Sequence, residues 1–212
     1  MLFPFFCTYD KIYPKNIHRY EREVHAFRSL TVLGTGNAMV TECYNTCFVL
    51  EDGDKHLLVD GGGGNTLLAQ LKHAGFDWMD MREIFVTHKH VDHIMGVVWM
   101  IRMICQHMKQ GQYEGEAWIY GHDEVIGLLK EMAEQLYPKK LTDFIGKRLH
   151  LVVVNDGEER TLMGHKVTFF DIQSTKAKQY GFCMDMGNGE KLTCCGDEPY
   201  NECEKKYARK TK

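Results

Sequence analysis

With 212 residues, 44% of them hydrophobic, the chain is long enough for one sizeable core and fits one domain better than two. A formal net charge of −3 and a pI near 6.4 give no overall basic field, so any nucleic-acid contact would need a local patch. Eight cysteines form no Cys-x-x-Cys pair, which argues against a cysteine-built structural zinc and for reduced thiols in a cytoplasmic protein.

Residues 1–26 are aromatic and then charged, and read as an N-terminal extension ahead of a domain spanning 27–212. The opening apolar run, Met1 to Cys7, is broken by Pro4 and is too short for a signal peptide or a membrane span. Ala26 to Leu33 reads as a first strand leading into Gly34-Thr35-Gly36. A dinucleotide fingerprint would need glycine at 39, where the chain has Met39, and then a helix, where Thr46 to Leu50 reads as a strand. Asp52-Gly53-Asp54 turns strand 45–50 into strand 55–60. Four glycines and Asn65 then precede a helix carrying Leu67, Leu68 and Leu71, closed by Gly75; no Gly-Lys-Ser/Thr follows, so this is no nucleotide P-loop.

Glu83 to Thr87 reads as a buried strand, and Ile94, Val97, Val98, Ile101, Ile104, Cys105 and Met108 form a helical stripe. Between them stands His88-Lys89-His90-Val91-Asp92-His93, on a strand-to-helix turn where several side chains can enter one crevice. In an extended turn His88 and His90 project to one side, while Asp92 and His93 are carried round by the helix. Imidazoles with a carboxylate suit zinc, manganese or iron, and open positions make such a site catalytic. Downstream, Ala117 to Gly121 reads as a strand and Asp123 to Leu136 as a helix stopped by Pro138, with His122 between them as a surface or capping residue. Leu149–Val154, His165–Ile172, Lys178–Met186 and Lys191–Cys195 read as strands, the last two joined at Gly187-Asn188-Gly189. Asp197 follows the last strand, where a carboxylate can bridge two metals about 3.5–4 Å apart. The pattern predicts an α/β fold of two mixed sheets stacked face to face with helices outside.

His88-Lys89-His90-Val91-Asp92-His93 resembles the HxHxDH signature of the metallo-β-lactamase superfamily. Leu33-Gly34-Thr35-Gly36-Asn37 and Cys195-Gly196-Asp197 agree with it in order and spacing, and look most like the ribonuclease Z and phosphodiesterase branch. The resemblance implies a four-layer αβ/βα sandwich and a pair of divalent ions, zinc or manganese. His88 and His90 would serve one ion, Asp92 and His93 the other, and Asp197 would bridge; Asp92 would also act as catalytic proton acceptor, and Asp60 would support the metal loop from behind. Two departures stand out. Gln173 occupies the position of an expected histidine ligand, and no histidine follows His165, although the family supplies a last one beyond the Gly-Asp. The chain therefore reads as an altered or C-terminally shortened form of a longer hydrolase; an inactive binding protein and a homodimer whose partner completes the site are the alternatives.

The substrate expected is a small phosphodiester or nucleotide-like ester, with Lys176 and Lys178 as binding residues. RNA is a less favoured substrate, because no long arm for gripping transfer RNA occurs between 94 and 200. A thioesterase or lactonase of glyoxalase II type is the rival enzyme, and no membrane partner is expected.

Overall fold

The computed structural model describes residues 29–187 and 189–208. The extension 1–26, the start of the predicted first strand, Asn188 and residues 209–212 lie outside the described residues. Two sheets form the frame. In the first, β1 (Ser29–Gly34), β2 (Cys47–Asp52) and β3 (Lys55–Val59) are an antiparallel meander, to which β4 (Glu83–Phe85), β5 (Ala117–Gly121) and β6 (Leu149–Val153) add in parallel, in the order β1-β2-β3-β4-β5-β6. Parallel neighbours need long crossovers. These are α1 (Thr66–His73), α2 (Val91–Gln110) and α3 (Asp123–Leu136), the last followed by the one-turn α4 (Lys139–Thr142). The second sheet is antiparallel throughout, order β10-β9-β8-β7, from β7 (Glu159–Leu162), β8 (His165–Asp171), β9 (Tyr180–Gly187) and β10 (Glu190–Cys194).

Alternation along the first sheet divides its side chains between two cores. Val49, Leu58, Ile84 and Ile119 face the helices, where they meet Leu67 and Leu71 of α1, Val97, Ile101 and Ile104 of α2, and Leu129 of α3. Leu50, Leu57, Val59, Phe85 and Tyr120 face the other way and pack on Val167, Phe169, Phe182 and Met184 of the second sheet. On that sheet's outer face Phe170, Ile172 and Cys183 are covered by Cys195 and by Tyr207 of the short C-terminal helix α5 (Lys205–Ala208), whose ring stacks on Phe170 at 4.0 Å. Helices, sheet, sheet and this outer cover make the four-layer α/β sandwich expected.

The second sheet is antiparallel rather than mixed as expected, because the connections between its strands are too short for a crossover, and two further differences have simple causes. Strand β7 was not anticipated because Glu159-Arg160-Thr161 are exposed and only Leu162 is buried, so an edge strand left no periodic signal. Strand β4 ends at Phe85 rather than Thr87 because the Thr87 N–H leaves the ladder to bond the Asp60 carboxylate. Among the described residues no helix is long and apolar enough to cross a membrane, and the described cysteines are all free thiols, of which Cys47, Cys105 and Cys183 are buried.

Candidate metal centre

The centre is built on Asp60. β3 ends at Val59, and Asp60 takes a left-handed backbone (φ 58°) that turns its carboxylate under the 87–93 loop. The turn is docked onto α2 by Gly61 N–H donating to His93 O (2.7 Å) and Gly96 N–H donating to Gly62 O (2.9 Å). A Cβ on Gly96 would lie 1.8 Å from the Gly61 carbonyl oxygen, so helix and turn can approach this closely only through glycine. The buried carboxylate accepts three hydrogen bonds of 2.8 Å, from Thr87 N, Thr87 Oγ1 and His93 Nδ1. Thr87 Oγ1, which donates its hydrogen to Asp60, also lies 2.9 Å from His88 Nδ1, so in both rings Nδ1 faces back into the loop. Both imidazoles therefore turn Nε2 towards one point.

That point is shared with Asp197. Donor atoms of His88, His93 and Asp197 all lie within 4.8 Å of one another. His93 Nε2 is 3.2 Å from Asp197 Oδ2 and 3.6 Å from Asp92 Oδ2, and His88 Nε2 is 3.9 Å from Asp197 Oδ1 and 2.8 Å from His90 Nδ1. His90 caps α2 with extended backbone, and Asp92 sits buried in its first turn, where the helix N-terminus favours negative charge. Burial, with His93 adding to it, pushes His88 down to about 4, so it stays neutral. Burial also opposes charge on His93, but the Asp60 and Asp197 carboxylates outweigh it and lift His93 to about 10. The hydrogen bond from His93, with that from Gln179, holds Asp197 well below the usual carboxylate range. The neutral imidazole of His88 beside the ionised carboxylate of Asp197, with the ring of His93 oriented by Asp60 behind it, is a donor set that fits a divalent cation.

Asp197 comes from the second sheet. It follows β10 across Gly196 (φ 73°), where an added Cβ would fall 2.5 Å from the Gln179 amide nitrogen. Gln179, buried just ahead of β9, donates Nε2–H to Asp197 Oδ1 at 2.9 Å, with that nitrogen 3.1 Å from His88 Nδ1. The next residue, Tyr180, ties the sheet to the metal loop by donating its N–H to Thr87 O (3.0 Å).

The structure brings together His88, His90, Asp92, His93, Asp197 and Asp60. Gln173 stands apart: it is exposed, in left-handed backbone (φ 57°), with its N–H donating to Asp171 Oδ1. The physical reason is the bond from Ile172 N–H to Gln179 O (3.1 Å), which closes 173–178 into an excursion, so Gln173 leaves the sheet where Gln179 returns. No motif marked Gln179; its one sequence signal is its place directly before the apolar strand Tyr180 to Met184. Lys176 and Lys178 are paired with Glu198 and Asp123. Neither lines the open cleft of ≈ 550 Å³ beside the cluster, which is walled by Asn37, Ala38, Lys89, His90, Val91, Asp92 and Asp197. His122, expected at the surface or as a cap, is fully buried at the end of β5 and makes no side-chain cap bond, because its ring lies against Tyr180.

Together the sandwich and the site define a metallo-β-lactamase-fold protein. Solved structures of the fold agree: the metallo-β-lactamase fold protein YhfI from Bacillus subtilis superposes with a TM-score of 0.64 at 19% identity, over 82% of this chain and 65% of that one. The short form of human tRNase Z superposes at 0.60, also at 19% identity, over 79% and 68%. Ribonuclease Z of Thermobifida fusca is 36% identical over 81 residues, which is 37% of this chain and 24% of the relative, so the chain spans about a quarter of that curated relative's length. The family model of the anti-Pycsar protein Apyc1 matches residues 28–211, and the chain belongs to that family.

Proposed function

We propose that the protein is a metal-dependent hydrolase of phosphodiesters, acting on a small or nucleotide-like ester with two divalent cations, zinc or manganese. The observation that carries this reading is the convergence of His88, His93 and Asp197 within 4.8 Å, flanked by His90 and Asp92 and backed by Asp60. Bound cations supply Lewis acidity, lowering the pKa of water and neutralising charge on a phosphoryl oxygen.

The side chains do the rest. Neutral His88 offers a lone pair, with His90 beside it; Asp60 fixes the ring of His93 so that Nε2 faces the cluster; Asp197 presents one oxygen to each side. Asp92, in the first turn of α2 at the edge of the open cleft, would take up the proton of an attacking water.

The test is hydrolysis of bis(p-nitrophenyl) phosphate against S-lactoylglutathione, with elemental analysis of chain purified without chelator. Cleavage of the phosphodiester alone, lost in His88→Ala and Asp197→Ala, is expected. Cleavage of the thioester alone would establish the glyoxalase II type instead. Neither turnover nor bound metal would favour a binding protein, a reading to which the Gln179 amide on Asp197 lends support.

A further inference from the structure

Within the motif His88, Asp92 and His93 are buried, whereas Lys89, His90 and Val91 form an exposed run between them; Val91 is 64% exposed, and Lys89 and Val91 are its two members that are not candidate ligands. Both line the cleft beside the cluster, as does Ala38 on the facing turn. That turn is fixed: Asn37 Oδ1 accepts the Met39 N–H (2.9 Å), and Asn37 O accepts from Asn45 Nδ2 (2.8 Å). Lys89 is the only lysine or arginine among the cleft's lining residues. Its ammonium is engaged by Glu124 Oε2 at 2.7 Å, an exposed pair at the N-terminus of α3.

Exposed ion pairs exchange partners at little cost. An anion entering the cleft can take Lys89 from Glu124, and a ring attached to it would cover Val91 and Ala38, removing apolar surface from water. We propose that Lys89 and Val91 set substrate specificity: Lys89 receives the phosphoryl anion, Val91 with Ala38 receives an aromatic ring attached to it, and Glu124 competes with the substrate for Lys89. The substrate class is thus an anionic aryl or heteroaryl phosphoester. This rests on the phosphodiester reading above, but it is tested by binding.

The probes are phenylphosphonate and methylphosphonate, titrated calorimetrically into the full chain, with bis(p-nitrophenyl) phosphate turnover measured alongside. Phenylphosphonate should bind about tenfold tighter than methylphosphonate. Lys89→Gln should weaken both by about fivefold, and Glu124→Gln should tighten both by about twofold. Val91→Ser should shrink the phenyl preference to about threefold or less while leaving methylphosphonate binding unchanged. Equal affinity for the two phosphonates, no binding of either, or indifference to Lys89→Gln in a chain that still unfolds cooperatively would overturn the proposal. The expected binding pattern without phosphodiester turnover would leave the specificity assignment standing and sink the proposed reaction. Turnover without the pattern would do the reverse.

Discussion

The two halves of the candidate centre are held in different ways. The half on the first sheet, Asp60 with residues 87–93, is buried and closed on itself: one carboxylate accepts three hydrogen bonds, and the helix docks on its turn glycine to glycine. The half on the second sheet, Gln179 with Asp197, has one amide-to-carboxylate bond of its own, its other hydrogen bond coming across from His93, and the aspartate side chain is 44% exposed. Buried, mutually satisfied polar networks are rigid and costly to break, whereas a half-exposed group can exchange a lost partner for water. The first half should therefore govern whether the site exists, and the second how tightly it closes.

The largest effect should follow from Asp60→Ala. Thr87 N–H, Thr87 Oγ1–H and His93 Nδ1–H would all lose their acceptor in a buried setting, costing about 3 kcal/mol of stability. Asp60→Asn keeps the volume but offers an amide N–H to a cluster of donors, and should weaken metal binding by about tenfold to a hundredfold. Urea unfolding and metal titration measure the two. A fully stable Asp60→Ala chain that binds metal normally would remove the distinction between the halves.

Gln179→Ala should do less. Asp197 loses one donor, but its exposed side lets water replace it, so stability should fall by about 1 kcal/mol and metal affinity by about tenfold or less. A loss as large as that of Asp60→Asn would mean the second half is as essential as the first.

The same contrast explains what could be read from the sequence. His88, His90, Asp92 and His93 lie within six residues, and their spacing alone delivers them to one crevice. Asp60 sits at a strand end followed by glycines, a local signature. The helical stripe of α2 and the alternation of β2, β3 and β9 report burial directly, so the layers were legible. Gln179 and Gln173 could not be told apart, because the difference depends on where the 173–178 excursion closes, and that is fixed by the bond from Ile172 to Gln179 rather than by residue type. The outward role of Lys89 and Val91 was hidden too, since exposure at a turn is decided by what packs over it.

A pH effect should sharpen the contrast from the other end of the second sheet. Glu204 is buried against Cys195 on the cover over β8–β10, its Oε1 without a hydrogen-bond partner, and burial raises its pKa above the ordinary carboxylate range. The folded state then binds the proton more tightly than the unfolded chain. The stability contributed is full below the ordinary carboxylate pKa and is lost as pH rises through the raised value. Glu204→Gln should stabilise the chain by about 1 kcal/mol at pH 8 and by almost nothing at pH 4, read from urea midpoints. Equal gains at both pH values would show that its ionisation does not load this face.

The smallest effect separates the two glutamines. Gln173 is exposed and its backbone is left-handed, so its side chain contributes nothing to the cluster and its Cβ carries the strain of a positive φ. Gln173→Ala should change metal affinity not at all and stability by about 0.5 kcal/mol or less, whereas Gln173→Gly should raise stability by about 0.5 kcal/mol. Gln173→His is the sharper variant. A histidine at 173 that leaves metal affinity unchanged follows from the excursion between Ile172 and Gln179. A large gain in affinity would mean that the loop folds inward once a ligand is offered, and that the second half of the site is completed by residue 173 after all.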